Sequence, residues 1–189
     1  MARKPGSINY VDKLEFLNEI KDYQQKVALA EKLGKPKPKI PDKIALRFQL
    51  IAKNMAKLPC YSGYTFKDLM ISDAIENMIR YFDNFDVNHP KQNPFGYFSQ
   101  YATYAFYQRI FKERTELYTK YKMLQQSGVM HDQDYQNELA QNGDSPFTPE
   151  MYDNINTFIA KFEDDLRKSK LKETANKKTK PKKGLENYI

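Results

Sequence analysis

The residues best equipped for chemistry sit in one stretch, F-S-Q-Y-A-T-Y-A-F-Y-Q-R-I-F-K-E-R over positions 98 to 114. Tyr97, Tyr101, Tyr104, Gln108 and Lys112 follow i, i+4, i+7, i+11, i+15 spacing, which puts them on one face of a helix. Phe98, Ala102, Phe106 and Ile110 recur every fourth residue and form a separate, core-facing stripe. The first face offers rings to stack on unpaired bases, an amide to read base edges and a cation to meet phosphate. Tyr is amphipathic, so the same spacing also suits a half-buried packing surface. The pattern by itself leaves both readings open.

No other part of the chain offers comparable chemistry. An active site needs a nucleophile with its base, a metal cluster or a phosphate cradle. His89 and His131 fall in expected loops, neither in a metal-ligand spacing, and no Gly-rich loop precedes a helix. Asp83, Asp86, Glu163, Asp164 and Asp165 read as solvated helix ends and faces. A single cysteine, Cys60, excludes an internal disulfide and a cysteine metal site, and suits a reducing cytoplasm. The expectation is a binding protein without enzymatic activity, metal or cofactor. There is no apolar run near the ~18 residues that would suggest a membrane span, and no cleavable leader, so no membrane role is expected.

The elements that must position the Tyr-bearing face are all helical. Asp12 and Glu15 have capping-box form and open a helix with Phe16, Ile20, Tyr23, Val27 and Ala30 on one side. The stretch from Gly34 through Pro36, Pro38 and Pro41 ends it as an extended basic linker. Asp42 is expected to cap a second helix that buries Ile44, Phe48, Ile51, Ala52 and Met55. Pro59, Ser62 and Gly63 then interrupt the chain. A third helix starts near Thr65, with Leu69, Ile75, Met78, Ile79 and Phe82 as its expected buried set. Its wet face carries Ser72, Asp73, Asn77 and Arg80.

After a polar loop, Asn93 and Pro94 suit the N-cap and first turn of the Tyr-striped helix, which should run to about Gln126. Residues 128 to 146 read as irregular. Thr148 and Pro149 open a last amphipathic helix lined by Met151, Ile155, Phe158, Ile159, Phe162 and Leu166. The fold class is therefore all-α. The expected divisions are 1–41, N-terminal helix and linker; 42–126, core; 127–172, polar linker and C-terminal helix; and 173–189, a flexible basic tail.

Charge is unevenly spread over the 189 residues, whose net is +7. Residues 166 to 184 hold nine Lys or Arg against the single acid Glu173, a net of +8 that leaves −1 for everything else. A Lys-rich stretch without apolar periodicity reads as disordered, with attraction to DNA phosphates as its role.

Several phrases of the sequence resemble a known family. The run Phe98-Ser99, Tyr101-Ala102-Thr103, Gln108 and Ile110 resembles the promoter-melting helix of bacterial sigma-70 factors. Met70-Ile71-Ser72-Asp73 and Asp83-Asn84-Phe85-Asp86 resemble that family's polymerase-binding helix. The closer likeness is to the late-gene sigma factors of T-even-type tailed phages. Asn9-Tyr10-Val11, Ser62-Gly63-Tyr64-Thr65, Asn84-Phe85-Asp86, Asn93-Pro94, Gln108-Arg109-Ile110 and Lys112-Glu113-Arg114 occur in that family's order, from near the N-terminus to about residue 122.

This resemblance implies a compact region-2-like domain and a set of roles. Ser72, Asp73, Asn77 and Arg80 would dock on the clamp helices of the largest subunit of host core RNA polymerase. Ser72-Asp73 stands where the family has Gln-Glu, keeping the carboxylate and losing the amide. Tyr97, Tyr101, Thr103, Tyr104, Gln108, Lys112 and Arg114 would hold the non-template strand of an A·T-rich minus-ten element. Within that set, Tyr101 stands at the base-stacking aromatic, Tyr104 at the first of two tryptophans, and Gln108 at the glutamine reading the upstream edge. Ala105 replaces the second tryptophan and removes part of the wedge that props the duplex open. Lys112 and Arg114 would meet phosphates, and Arg109 would pair with Glu113 one turn on.

Roughly sixty-five residues follow position 122, too few for the family's further helix-turn-helix domain with linker and tail. The phage late factors lack that domain and reach the replication sliding clamp through an apolar C-terminal motif. Leu185, Tyr188 and Ile189 would serve here, although the family's pair of adjacent apolar residues is missing. A co-activator bridging to polymerase fits the same family, and the implied compartment is the cytoplasm of the infected bacterial host. A stand-alone helical DNA-binding protein that needs no polymerase is the alternative. A structural or assembly protein would account for the helices but not for aromatics sharing a face with Gln108 and Lys112.

Overall fold

The computed structural model describes residues 10–89, 93–129, 132–142 and 148–179. The described residues form seven α-helices and one short 3-10 turn: α1 (Lys13–Lys32), α2 (Asp42–Ala56), α3 (Pro59–Ser62), α4 (Lys67–Arg80), the 3-10 turn Phe82–Asn84, α5 (Pro94–Ser127), α6 (Gln133–Gln141) and α7 (Pro149–Thr179). The chain divides into two compact units, Met1–Lys112 and Glu113–Ile189, and α5 runs through the division.

The first unit is built on aromatic packing. Phe16, Leu17, Ile20 and Tyr23 of α1 and Ile44, Phe48, Ile51 and Ala52 of α2 are buried with Phe82, Phe85, Phe98, Ala102 and Phe106. Phe48 lies 4.7 Å from Phe98 and 5.8 Å from Phe82, centroid to centroid, and so ties three segments of sequence together. Full burial of each such side chain contributes about 1.5–3 kcal/mol. Arg47 locks α1 to α2 from outside this core, with Nε 2.6 Å and Nη2 2.9 Å from the two Glu19 carboxylate oxygens and Nη2 2.8 Å from Glu15.

Local signals set most boundaries. Asp12 accepts from the backbone N–H of Leu14 and Glu15 at 2.8 and 2.9 Å, as its cap-like sequence predicts. Gly34, at φ +62°, turns the chain out of α1 in a conformation that disfavours a Cβ. Asp42 differs from expectation: Pro41 is the N-cap, no side chain caps the helix, and Asp42 is its first residue. There its carboxylate suits the positive end of the helix dipole.

The third expected helix begins at Lys67 rather than Thr65, and its buried row is Met70, Ala74 and Met78. Met78 and Phe82 were expected inside; Leu69 and Ile79 are exposed instead, and Ile75 is half-buried. The sequence carries two near-equal apolar stripes here. The one containing Ala74 faces α2, the helix on which α4 packs most extensively, because a small residue lets two backbones approach.

The second unit holds the end of α5 with α6 and α7. Tyr118 stacks on Phe162 at 4.7 Å, Tyr121 meets Phe158 edge-on at 5.4 Å, and Ile155 and Ile159 are buried beside them. Met151 of the expected stripe is exposed. Residues 133 to 141, expected to be irregular, form α6, started by Asp132 accepting from the N–H of Asp134 at 3.0 Å. Likewise α7 continues to Thr179, into the segment expected as a flexible tail. Glu, Lys and Arg lose little rotamer freedom in a helix, so a charged run can prolong one that packing has started. Leu185, Tyr188 and Ile189 lie outside the described residues.

Candidate functional site

The Tyr-bearing face is anchored at its N-terminal end. Asn93 Oδ1 accepts from the Gly96 N–H at 3.1 Å, and Pro94 occupies the first helical position, where no N–H is needed. The core stripe of Phe98, Ala102 and Phe106 is buried as the spacing predicts, with Ile110 half-buried. Burying that stripe turns the second face outward from Tyr104 to Lys112, with Tyr97 and Tyr101 half-buried at its start.

Its tyrosines are not equivalent. Tyr97 is half-buried and packs against the core: its ring lies 5.1 Å from both Phe85 and Phe98, and its hydroxyl is 3.3 Å from that of Tyr101. Burial, then the bond to Tyr101, pushes the Tyr97 phenol well above its ordinary range. Tyr101 is half-buried and lies between Tyr97 and Tyr81. Tyr104 is the open ring, 49% exposed, with its hydroxyl accepting from Gln100 Nε2 at 2.8 Å. Gln108 and Lys112 are exposed further along. Thr103 donates its hydroxyl to the Ser99 carbonyl at 2.8 Å, so the side chain is turned back on its own helix.

Residues expected to serve two different partners meet across α4 and α5. Asp73, Glu76, Asn77, Arg80, Ala105 and Gln108 line one polar groove of about 150 Å³. Arg109 forks onto Asp73, with Nε 2.6 Å and Nη2 2.8 Å from the two carboxylate oxygens. The side chains are 16% and 30% exposed. Asp73, expected to face solvent, is therefore an internal tie between the helices, and Arg109 supplies its partner. Asn77 Nδ2 donates to the Tyr101 carbonyl at 3.2 Å and makes a second tie. Ser72 donates its hydroxyl back to the Asp68 carbonyl at 3.0 Å. Arg80 is exposed and bonds Glu76 one turn earlier, at 2.5 Å.

In the second unit, Arg114 is 3.2 Å from Asp165 and lies over the Phe162 ring at 5.6 Å. Its guanidinium joins the helix pair of that unit, with the side chain still 38% exposed. The site also contains residues that spacing did not single out. Tyr81, just past α4, covers Tyr101, and Tyr107 is exposed on α5, 6.3 Å edge-on from Tyr61. Tyr107 lies within the same helix and was legible as an aromatic off the core stripe. Tyr81 reaches the site only through the fold, and no local pattern marks it.

The arrangement presents rings, an amide and a cation along one line beside a groove of paired charges. It brings together groups suited to holding a flat, unpaired ligand with a charged backbone. Among the described residues, no cluster of His, Cys, Asp or Glu could hold a metal ion, and no helix is long and apolar enough to cross a membrane. No protein-family model matches the chain, and no curated protein is similar enough to it to count as a relative.

Proposed function

We propose that this protein is a sigma-type transcription initiation factor for phage late genes. It binds host core RNA polymerase in the cytoplasm of the infected bacterium and captures the displaced non-template strand of an A·T-rich minus-ten element. The observation carrying this reading is the line of Tyr104, Gln108 and Lys112 on the outer face of α5, with Tyr101 behind it and the core stripe turned away. A ring offered to an unstacked base contributes about 1–3 kcal/mol, comparable to opening one A·T step, so strand separation is driven by binding and needs no cofactor.

Polymerase docks on the exposed part of the α4 polar face, where Ser72 and Arg80 are available and Asp73 and Asn77 hold α5 in place behind them. Leu185, Tyr188 and Ile189 anchor the phage sliding clamp, with the basic segment before them as tether. Run-off transcription from phage genomic fragments, with host core polymerase and with or without this protein, tests the proposal. The expected result is new start sites just downstream of A·T-rich elements, only when the protein is present. No new starts, together with equally specific DNA binding by the protein alone, would make it a stand-alone DNA-binding protein instead.

A further inference from the structure

Tyr101, the ring on which the proposed function sets a displaced base, is already covered. Tyr81 lies against it with ring centroids 4.7 Å apart and planes 24° from parallel, the offset arrangement that a stacked base would adopt. Tyr97 sits 4.8 Å away at 54°, and Tyr104 meets Tyr101 edge-on at 6.4 Å and 89°. Of these neighbours, Tyr97 is fixed by Phe85, Phe98 and its hydroxyl bond. Tyr104 makes no parallel stack. Tyr81 is half-buried and stands at the helix end, where its backbone is held by its N–H to the Asn77 carbonyl at 3.1 Å and its carbonyl to the Asn84 N–H at 3.2 Å. Both bonds are made by its backbone, so a change of χ1 leaves them in place.

We propose that Tyr81 is a built-in placeholder for a base, closing the stacking face of Tyr101 until an unpaired nucleotide displaces it. This rests on the reading of α5 as the strand-capturing face, and adds how capture is restrained. Exchanging one parallel stack for another leaves little net gain for a stray single strand. Capture then depends on the neighbouring contacts at Tyr104, Gln108 and Lys112, which only a correctly placed strand satisfies. The device limits non-specific binding while leaving the site intact.

The test uses holoenzyme rebuilt from host core polymerase and full-length protein. A premelted promoter template carries 2-aminopurine in the unpaired non-template strand. An aromatic pair of this kind is worth enough that removing Tyr81 should tighten binding about 2- to 12-fold and deepen 2-aminopurine quenching. Tyr81→Phe, which keeps the ring, should behave as wild type, and Tyr104→Ala should weaken binding. If Tyr81→Ala loses the fold by circular dichroism, Tyr81→Leu must show the same tightening, since it keeps apolar bulk without a planar face. Unchanged or weaker binding by the folded Tyr81 variant, with Tyr104→Ala still weakened, overturns the placeholder and leaves the proposed function standing. If Tyr101→Ala and Tyr104→Ala both bind as wild type, the strand-capturing face is wrong and the placeholder falls with it.

Discussion

At the scale of single residues, the pair Asp73–Arg109 ties together the two helices, α4 and α5, that form the candidate site. A two-point fork between half-buried partners, 2.6 and 2.8 Å long, is stronger than an exposed ion pair. Asp73→Ala and Arg109→Ala should each cost about 1–3 kcal/mol in urea unfolding, because each breaks the two-point fork between half-buried charges. The double-mutant cycle should return a coupling of about 1–2 kcal/mol, and a coupling near zero would make the pair a screened surface contact. Reversing Asp73 is thus a poor probe of polymerase binding, whereas exposed Arg80 is a clean one. Phenols provide a second test. Burial, followed by the bond with Tyr107, pushes the Tyr61 hydroxyl up to about 12 from an ordinary 10.0, and Tyr97 is raised as well. The folded state keeps these protons where the unfolded chain has released them. The contribution of Tyr61 is therefore complete below about pH 10 and is lost as pH climbs from there through about 12, and that of Tyr97 is lost in the same direction. Tyr61→Phe and Tyr97→Phe should flatten that alkaline loss in melts recorded from pH 9 to about 12. A slope equal to wild type would place both hydroxyls in solvent-like surroundings.

At the scale of elements, α5 carries the site and its first turn fixes where the site begins. Asn93 caps the helix over Gly96, and a Cβ at Gly96 would meet Asn93 Nδ2 at 2.5 Å. Asn93→Ala should cost about 1 kcal/mol in the wild type. In a Gly96→Ala background, where the cap is already displaced, it should cost almost nothing. Equal costs in thermal melts of the two backgrounds would show that the cap bond does not hold this turn. Helix identity in α1, α5 and α7 was legible from caps and apolar spacing, and in α2 from spacing alone, because those signals are local. The buried face of α4 was not, since Leu69 and Met70 head competing stripes and only the approach of α2 selects between them. For the same reason Tyr81 and the tie from Asp73 to Arg109 escaped the sequence: each joins residues whose proximity is set by tertiary packing. The line of Tyr104, Gln108 and Lys112 was legible because it lies within one helix. Arg114 continues that helical pattern, but Asp165 and Phe162 lie close to it through the packing of the second unit.

At the scale of the whole molecule, the basic excess is confined to residues 166–184 while the remainder sums to −1, so under the proposed function attachment and strand capture fall to different parts of the chain. Deleting the last five residues, with Leu185, Tyr188 and Ile189 among them, should abolish stimulation by the sliding clamp in run-off assays. Clamp-independent transcription should persist, because tethering raises effective concentration without adding promoter contacts. A clamp response that survives the deletion would place the anchor elsewhere. The central claim is strand capture by the outer face of α5, and permanganate footprinting of a duplex late promoter in holoenzyme tests it most directly. Wild-type protein should make thymines of the minus-ten element reactive. Tyr104→Ala, which alters an open ring and spares the core, should assemble with polymerase yet lose that reactivity, and a premelted template should restore part of its transcription. Normal thymine reactivity with Tyr104→Ala and with Tyr101→Ala would contradict the account and make the tyrosine face a packing surface.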